Sequence, residues 1–283
     1  MRVTIDELRA HAATRPADPR AVCDYAAALA ARGEKTAAVE VLRAIQAEAP
    51  RYARAFYELG HALAFEACNA IPDPHRAEEA ERSLLRATEL DPSYARAYLA
   101  AAELYEYVLN APSRAEQMLM RAIQTAPQMP EGYDRLARLC VASKGVESAE
   151  AEFCSRIPES TPRARIHYAL ANGYSRCGRY DLAWDELEKL HAIVPDSVDV
   201  SIGFAYTSAV LGDLCRATEY FSEAYRLHPM NEVALVHYLQ HLLRIGEREK
   251  AQGAVIEARR ALAAEPGKLQ RLDDFLKQLG LDG

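Results

Sequence analysis

The sequence predicts an all-α solenoid, a chain of helical hairpins that stack one on the next. Two series of small residues recur every 34 residues in its second half: Ala149, Ala183, Ala217 and Ala251, and Gly178, Gly212 and Gly246. A fixed period of this length is typical of a repeated pair of helices, because a single pair cannot bury its apolar face without a neighbour. Half of the residues are hydrophobic, and their helical spacing predicts amphipathic helices.

The repeat is best preserved between residues 164 and 197. Its first helix carries one stripe of large or apolar residues and its second helix carries another, each at helical spacing. The stripe positions are His167, Leu170, Ala171, Tyr174, Ala183, Leu187 and Leu190. Gly178 suits the tight turn between the two helices, and Pro195 stops the second one. We therefore expect two helices packed stripe against stripe.

This order of residues resembles the tetratricopeptide repeat. His167 stands where that repeat usually has Trp, and Ala171 stands where it usually has Gly. Comparable matches extend over about residues 19–263. The resemblance implies a right-handed superhelical solenoid of about seven repeats, in which the first helix of each repeat lines a concave face.

The elements at the two ends of the array are predicted as caps. Residues 1–18 form a lead-in helix, since Thr4 and Glu7 match a capping box. Seven repeats fill residues 19–266, and residues 267–283 form a terminal helix that is apolar on one side and charged on the other. Such a helix would cover the last exposed stripe of the array.

Three irregularities interrupt the period. About eight extra residues enter the second repeat near 67–76, where Pro72 and Pro74 predict a turn. The third repeat has one extra residue, which we expect in its turn at 110–113. Pro158 and Pro162 predict a shortened helix and an irregular stacking angle after the fourth repeat.

Composition narrows the function classes. A net charge of −7 argues against a dedicated nucleic-acid binder. The sequence has no run of about 18 apolar residues, so it predicts no membrane span. The acids within the first eight residues do not fit a signal peptide, so a cytoplasmic location is expected. The six cysteines lack paired spacing, and most of them stand in predicted helices in place of small apolar residues, so we expect reduced thiols that pack inertly and not a redox or metal role.

Candidate partner-binding residues follow from the resemblance, which places certain first-helix positions on the concave face. These candidates are Arg54, Tyr57, His61, Arg96, Tyr107, Arg135, Arg138, Arg165, Tyr168, Asn172, Arg176 and Tyr206. Arginine forks pair with carboxylates or phosphates, so a partner with acidic residues is one interpretation. The alternative is that the arginines pair with acids of the same face. Tyr57, His61 and Phe65 also form an aromatic stripe, which suits an apolar partner side chain.

Signals for catalysis are weak. His237 and His241 have a spacing that chelates metals, but no third ligand can be named. Cys68 and His75 lack an orienting acid, and no phosphate-binding or nucleophile motif is present. The sequence therefore predicts no catalytic residue, no metal and no cofactor.

The leading functional hypothesis is a non-catalytic scaffold that binds a peptide or a helix of a protein partner in its concave groove. The alternative is an accessory module that recruits substrate for a separately encoded transferase or hydroxylase. A third interpretation, self-assembly through end helices, is disfavoured by the polar face of the terminal helix.

Overall fold

A computed structural model describes residues 4–14, 18–69, 74–144, 146–229, 231–263 and 265–279. Within these ranges the regular structure is helical and no strand occurs. The chain divides into two compact units, Met1–Thr161 (unit 1) and Pro162–Gly283 (unit 2). The boundary coincides with the proline-rich segment that the sequence marked as irregular.

Unit 1 begins with a single helix and continues with helical pairs. Its helices are α1 (Ile5–Thr14), α2 (Pro19–Ala31), α3 (Lys35–Glu48), α4 (Ala53–Asn69), α5 (Pro74–Leu90), α6 (Ala95–Glu103), α7 (Pro112–Thr125), α8 (Pro130–Lys144) and α9 (Val146–Arg156). Consecutive helices pack as the pairs α2–α3, α4–α5, α6–α7 and α8–α9, and α1 packs on α2. Thr4 and Glu7 exchange backbone-to-side-chain hydrogen bonds of 2.7 and 3.3 Å, which confirms the predicted capping box.

Unit 2 repeats the same arrangement. Its helices are α10 (Arg163–Arg176), α11 (Tyr180–Ile193), α12 (Val198–Val210), α13 (Leu214–Leu227), α14 (Glu232–Arg244), α15 (Arg248–Ala261) and α16 (Pro266–Leu279). The pairs are α10–α11, α12–α13 and α14–α15. Leu272 and Leu276 of α16 are buried in one apolar cluster with residues of α14 and α15, so α16 covers the last stripe of the unit.

The periodic alanines are the points of closest helix packing. Ala149, Ala183, Ala217 and Ala251 have no exposed surface. A residue larger than Ala at these positions would hold the two helices of a hairpin apart. The alanines recur every 34 residues because each hairpin needs a small residue at this contact.

The turns within hairpins depend on a left-handed residue. Four turn glycines have positive φ angles, and the residue after each donates a backbone hydrogen bond to the carbonyl five residues earlier. They are Gly33, Gly178, Gly212 and Gly246. Only glycine adopts this conformation without strain. In the third repeat Asn110 takes the same role with a φ of 46°, and Asn is the residue that tolerates this region next best.

The extra residue of the third repeat lies inside a helix. The first helix of that repeat continues past Glu103 as a π-helical turn, Leu104–Val108, in which the Leu109 amide donates to the Leu104 carbonyl at 3.0 Å. A π turn closes over five residues instead of four, so it holds one more residue than an α turn. The extra residue was expected in the turn at 110–113, but it lies about one helical turn earlier in the sequence.

The insertion of the second repeat lengthens its helices. α4 continues to Asn69 and α5 begins at Pro74, so part of the insertion near 67–76 is helical. Residues 70–73 lie outside the described residues, as do the side chains of Phe65 and Cys68. The turn expected at Pro72 and Pro74 falls on this segment and stays a prediction.

The Trp position of the fifth repeat holds a buried ionic group. His167 Nδ1 lies 2.7 Å from Glu186 Oε2, and Lys189 Nζ lies 2.6 Å from Glu186 Oε1. Glu186 is only 4% exposed. A buried carboxylate is tolerated when partners such as these compensate its lost hydration, so His167 and Glu186 form a polar contact between α10 and α11.

Candidate peptide-binding groove

A groove runs across the first helices of unit 1 and consists of two adjoining cavities. The first cavity, of about 460 Å³, lies among α2, α4 and the start of α6. The second, of about 270 Å³, lies among α4, α6 and the start of α8. Tyr57, His61 and Arg96 line both cavities, so the two form one continuous surface.

Small side chains create the first cavity. Ala27, Ala30 and Ala31 line it from α2, and their spacing places them on one face of that helix. Tyr57 on α4 and Tyr94 just before α6 line it as well. The alanines and the aromatic rings make the lining largely apolar beside the charged groups of Lys35, Arg54, Glu58 and Arg96, and such a lining fits a partner side chain.

The aromatic side chains support one another. The Tyr57 ring stacks on His61 with centroids 5.7 Å apart and meets the Tyr94 ring at 5.0 Å. Burial raises the pKa of the Tyr57 and Tyr94 hydroxyls, so both stay protonated and able to donate a hydrogen bond. The wall is therefore rigid and carries polar tips.

Three of the candidate arginines are engaged in ion pairs. Arg54 contacts Asp24 at 2.7 Å and Glu58 at 3.2 Å. The other two pair with acids of the preceding repeat, Arg135 with Glu103 and Arg138 with Glu106. For these residues the structure favours the alternative in which arginines neutralise acids on their own face. The sequence does not show which acid lies opposite each arginine, because that depends on which turns of neighbouring first helices face each other.

Arg96 differs from these arginines. It is exposed and has no hydrogen-bond or ion-pair partner among the residues that the structure describes. Its guanidinium stands in the middle of the groove, since it lines both cavities. Its charge is therefore available to a ligand.

Tyr107, a candidate partner-binding residue, lines neither cavity. Its side chain is 57% exposed, and the Arg138 guanidinium lies 5.4 Å from its ring centroid. Tyr107 lies within the π-helical turn Leu104–Val108, which has one more residue per turn than an α-helix and so shifts its position relative to a regular helix. Conversely, sequence reasoning missed Tyr94, because it precedes the helix and falls outside the repeat positions used.

The remaining candidates belong to unit 2. Arg165, Tyr168, Asn172 and Arg176 lie on α10, and the first three already have interactions within the described chain. Tyr206 on α12 is 44% exposed, and its hydroxyl lies 2.6 Å from His237 Nδ1. Of the candidate arginines of the fourth and fifth repeats, Arg135 and Arg138 belong to unit 1, and Arg165 and Arg176 belong to unit 2.

The histidines His237 and His241 face different partners. His237 contacts Tyr206, whereas His241 is buried with Nε2 2.8 Å from Thr218 Oγ1. Across the described residues no group of three or more His, Cys, Asp or Glu side chains is placed to hold a metal ion. The pair therefore serves as polar contacts of α12, α13 and α14.

We expect these histidines to make unit 2 less stable in acid. Desolvation lowers the pKa of His237 and of His241, with Arg244 adding to the effect at His241. The unfolded chain then takes up protons first as the pH falls through about 6.5, so folding stability decreases below that pH. Thermal unfolding at pH 7.5 and 5.5 should show a smaller acid loss in the double variant His237→Gln, His241→Gln than in the wild type.

The exposed His228 provides the matched control for this prediction. His228→Gln should keep the full acid loss of the wild type. An equal loss in the double variant would show that other groups cause the acid sensitivity.

The cysteines are less uniform than expected. Cys23 and Cys140 are buried, whereas Cys154 and Cys215 are exposed and Cys177 is intermediate. Burial raises the pKa of the Cys23 thiol to about 12, so this side chain packs as a neutral group. The packing role predicted for most cysteines holds for Cys23 and Cys140.

Among solved protein structures, several helical-repeat proteins are similar to this chain. A MamA fragment from Desulfovibrio magneticus RS-1 is 20% identical, with a TM-score of 0.44 over 54% of this chain and 81% of that one. A tetratricopeptide repeat protein from Parabacteroides merdae is 14% identical, with a TM-score of 0.46 over 84% and 91%. PilW, a type IV pilus biogenesis factor, is 19% identical, with a TM-score of 0.40 over 76% and 97%. No protein-family model and no curated protein matches the chain.

The class of the protein follows from its own residues and fold. Helical pairs, buried periodic alanines and left-handed turn residues recur along both units. These features define an all-α protein of repeated helical hairpins, the fold that the resemblance to the tetratricopeptide repeat implied. None of the described helices is both long enough and apolar enough to cross a membrane.

Proposed function

We propose that the chain is a non-catalytic scaffold whose groove in unit 1 binds an extended segment of a partner protein. The observation that carries the proposal is the continuity of the two cavities across α2, α4, α6 and α8. A surface that spans several repeats suits a ligand that is itself extended. The proposal includes acidic residues in that segment and keeps the expected cytoplasmic location.

The shape and chemistry of the groove support this function. Tyr57 and Tyr94 are large, rigid contact surfaces with hydroxyl tips, and tyrosine is among the residues that dominate protein-binding energetics. His61 stacked on Tyr57 extends this surface into the second cavity. The rings are already packed against one another, so binding would cost little side-chain entropy.

Filling the first cavity should weaken binding. Ala30→Trp places a large ring where the partner side chain would enter, and we expect at least about a tenfold loss of affinity, which is about 1.4 kcal/mol. The full-length chain would be immobilised, its partners captured from native extract and identified by mass spectrometry, and the affinity of each purified partner measured by calorimetry.

Ala151→Trp is the matched control. Ala151 is an exposed residue of α9 in the same unit and lines neither cavity. A partner that loses affinity with Ala30→Trp and keeps it with Ala151→Trp binds in the groove. Equal retention by both variants, each folded by circular dichroism, would refute the proposed site.

A further inference from the structure

We propose that the groove recognises three side chains of its ligand in a fixed spatial order. An apolar side chain binds at α2, an acidic one at α6 and a basic one at α8. This inference rests on the proposed function and adds the kind of segment that binds. The inference is based on the charged side chains of the groove that have no ion-pair partner, because a charge that is already paired adds little binding energy with a ligand.

The α2 end is an apolar site. Ala27, Ala30, Tyr57 and Tyr94 line it. Its charged side chains other than Arg96 are already engaged: Arg54 pairs with Asp24 and with Glu58, and Lys35 has an interaction within the described chain. An uncharged side chain is therefore the group that gains most from entering.

The centre of the groove carries one uncompensated cation. Arg96 has no partner among the described side chains, whereas Arg135 on the adjoining helix is paired with Glu103. A guanidinium fork binds a carboxylate through two parallel hydrogen bonds. An Asp or Glu of the bound segment is the matching group at this position.

The α8 end carries one uncompensated anion. Glu131 lines the second cavity, is exposed and makes no ion pair with any described residue. A second acidic residue of the ligand would be repelled there, whereas Lys or Arg would be attracted. The two free charges thus give the groove a direction that a uniformly acidic segment would not match.

A random twelve-residue peptide library displayed on phage would test this order on the full-length chain. Peptides enriched on the wild type should carry an acidic residue between an apolar and a basic one, in either chain direction. Selection on Arg96→Glu should replace the acidic residue by a basic one, and selection on Glu131→Arg should replace the basic residue by an acidic one. For a synthesised wild-type peptide, each charge reversal should weaken binding about fivefold or more.

Arg121→Glu is the charge-matched control, since Arg121 is exposed on α7 and lines neither cavity. It should leave the enriched pattern and the affinity unchanged. If Ala30→Trp removes peptide binding but the charge reversals leave the enriched pattern as it was, the ordered recognition is wrong and the groove function stands. If no enriched peptide loses binding with Ala30→Trp, both the groove function and the ordered recognition are wrong.

Discussion

Replacement of Phe221 by Ala should cost about 3 to 5 kcal/mol of folding stability, the range expected when a buried aromatic side chain is removed. Phe221 is 2% exposed and lies in one apolar cluster with residues of α12, α13 and α14. Its ring also meets Tyr206 edge-on at 5.3 Å and His241 at 4.9 Å. Truncation would leave a cavity among three helices that cannot all close at once. Urea unfolding followed by circular dichroism at 222 nm measures the loss.

The loss should be confined to the neighbouring repeats. A helical array is stabilised by contacts between adjacent hairpins, so hydrogen-exchange protection should fall in α12 to α14 and remain in α2 to α5. Ile256→Ala provides the control, because Ile256 is 51% exposed on α15 and should change stability by no more than about 0.5 kcal/mol. A uniform loss of protection over the whole chain would contradict the nearest-neighbour description.

The second large effect is expected from one methyl group added at Gly60. A Cβ atom built there lies 2.6 Å from Leu84 Cγ and 3.0 Å from the Ala80 carbonyl oxygen. Overpacking of this kind costs about 1 to 3 kcal/mol, whereas alanine gains about 1 kcal/mol over glycine in a helix. Because backbone as well as a buried side chain must move, we expect Gly60→Ala to destabilise unit 1 by about 1 to 2 kcal/mol.

Gly253→Ala is the matched substitution with the opposite sign. Gly253 is exposed within α15, and a Cβ atom there meets nothing within 4 Å. It should stabilise unit 2 by up to about 1 kcal/mol through helix propensity alone. The urea midpoints of the two variants should shift in opposite directions. A stabilised Gly60→Ala variant would show that α4 and α5 do not pack as closely as described.

The fold was predictable because its steric requirements recur. Each hairpin needs a small residue at its closest contact and a left-handed residue at its turn, and Ala217 and Gly212 meet these needs at a constant interval. Irregular repeats were harder to place. The sequence shows that the third repeat has one extra residue, but the choice between a longer turn and a π-helical turn depends on packing against the neighbouring helices.

The groove was predictable only in part. Repeat positions identified Tyr57, His61 and Arg96, which line both cavities. They did not distinguish Arg96 from Arg135, since pairing depends on which acid of the preceding repeat lies opposite. That acid is Glu103, one first helix earlier in the chain. Whether an arginine of the groove is free to bind a ligand therefore depends on the neighbouring repeat, and it cannot be predicted from the sequence of one repeat.

The π-helical turn Leu104–Val108 has a meaning for how such arrays change during evolution. An extra residue in a connecting loop makes that loop longer, whereas an extra residue here is accommodated by a local widening of the helix. The turn of this hairpin still closes through Asn110, and its second helix, α7, still brings Ala115 to a fully buried position. A single extra residue in the first helix is thus accommodated without loss of the turn and the buried alanine that follow it.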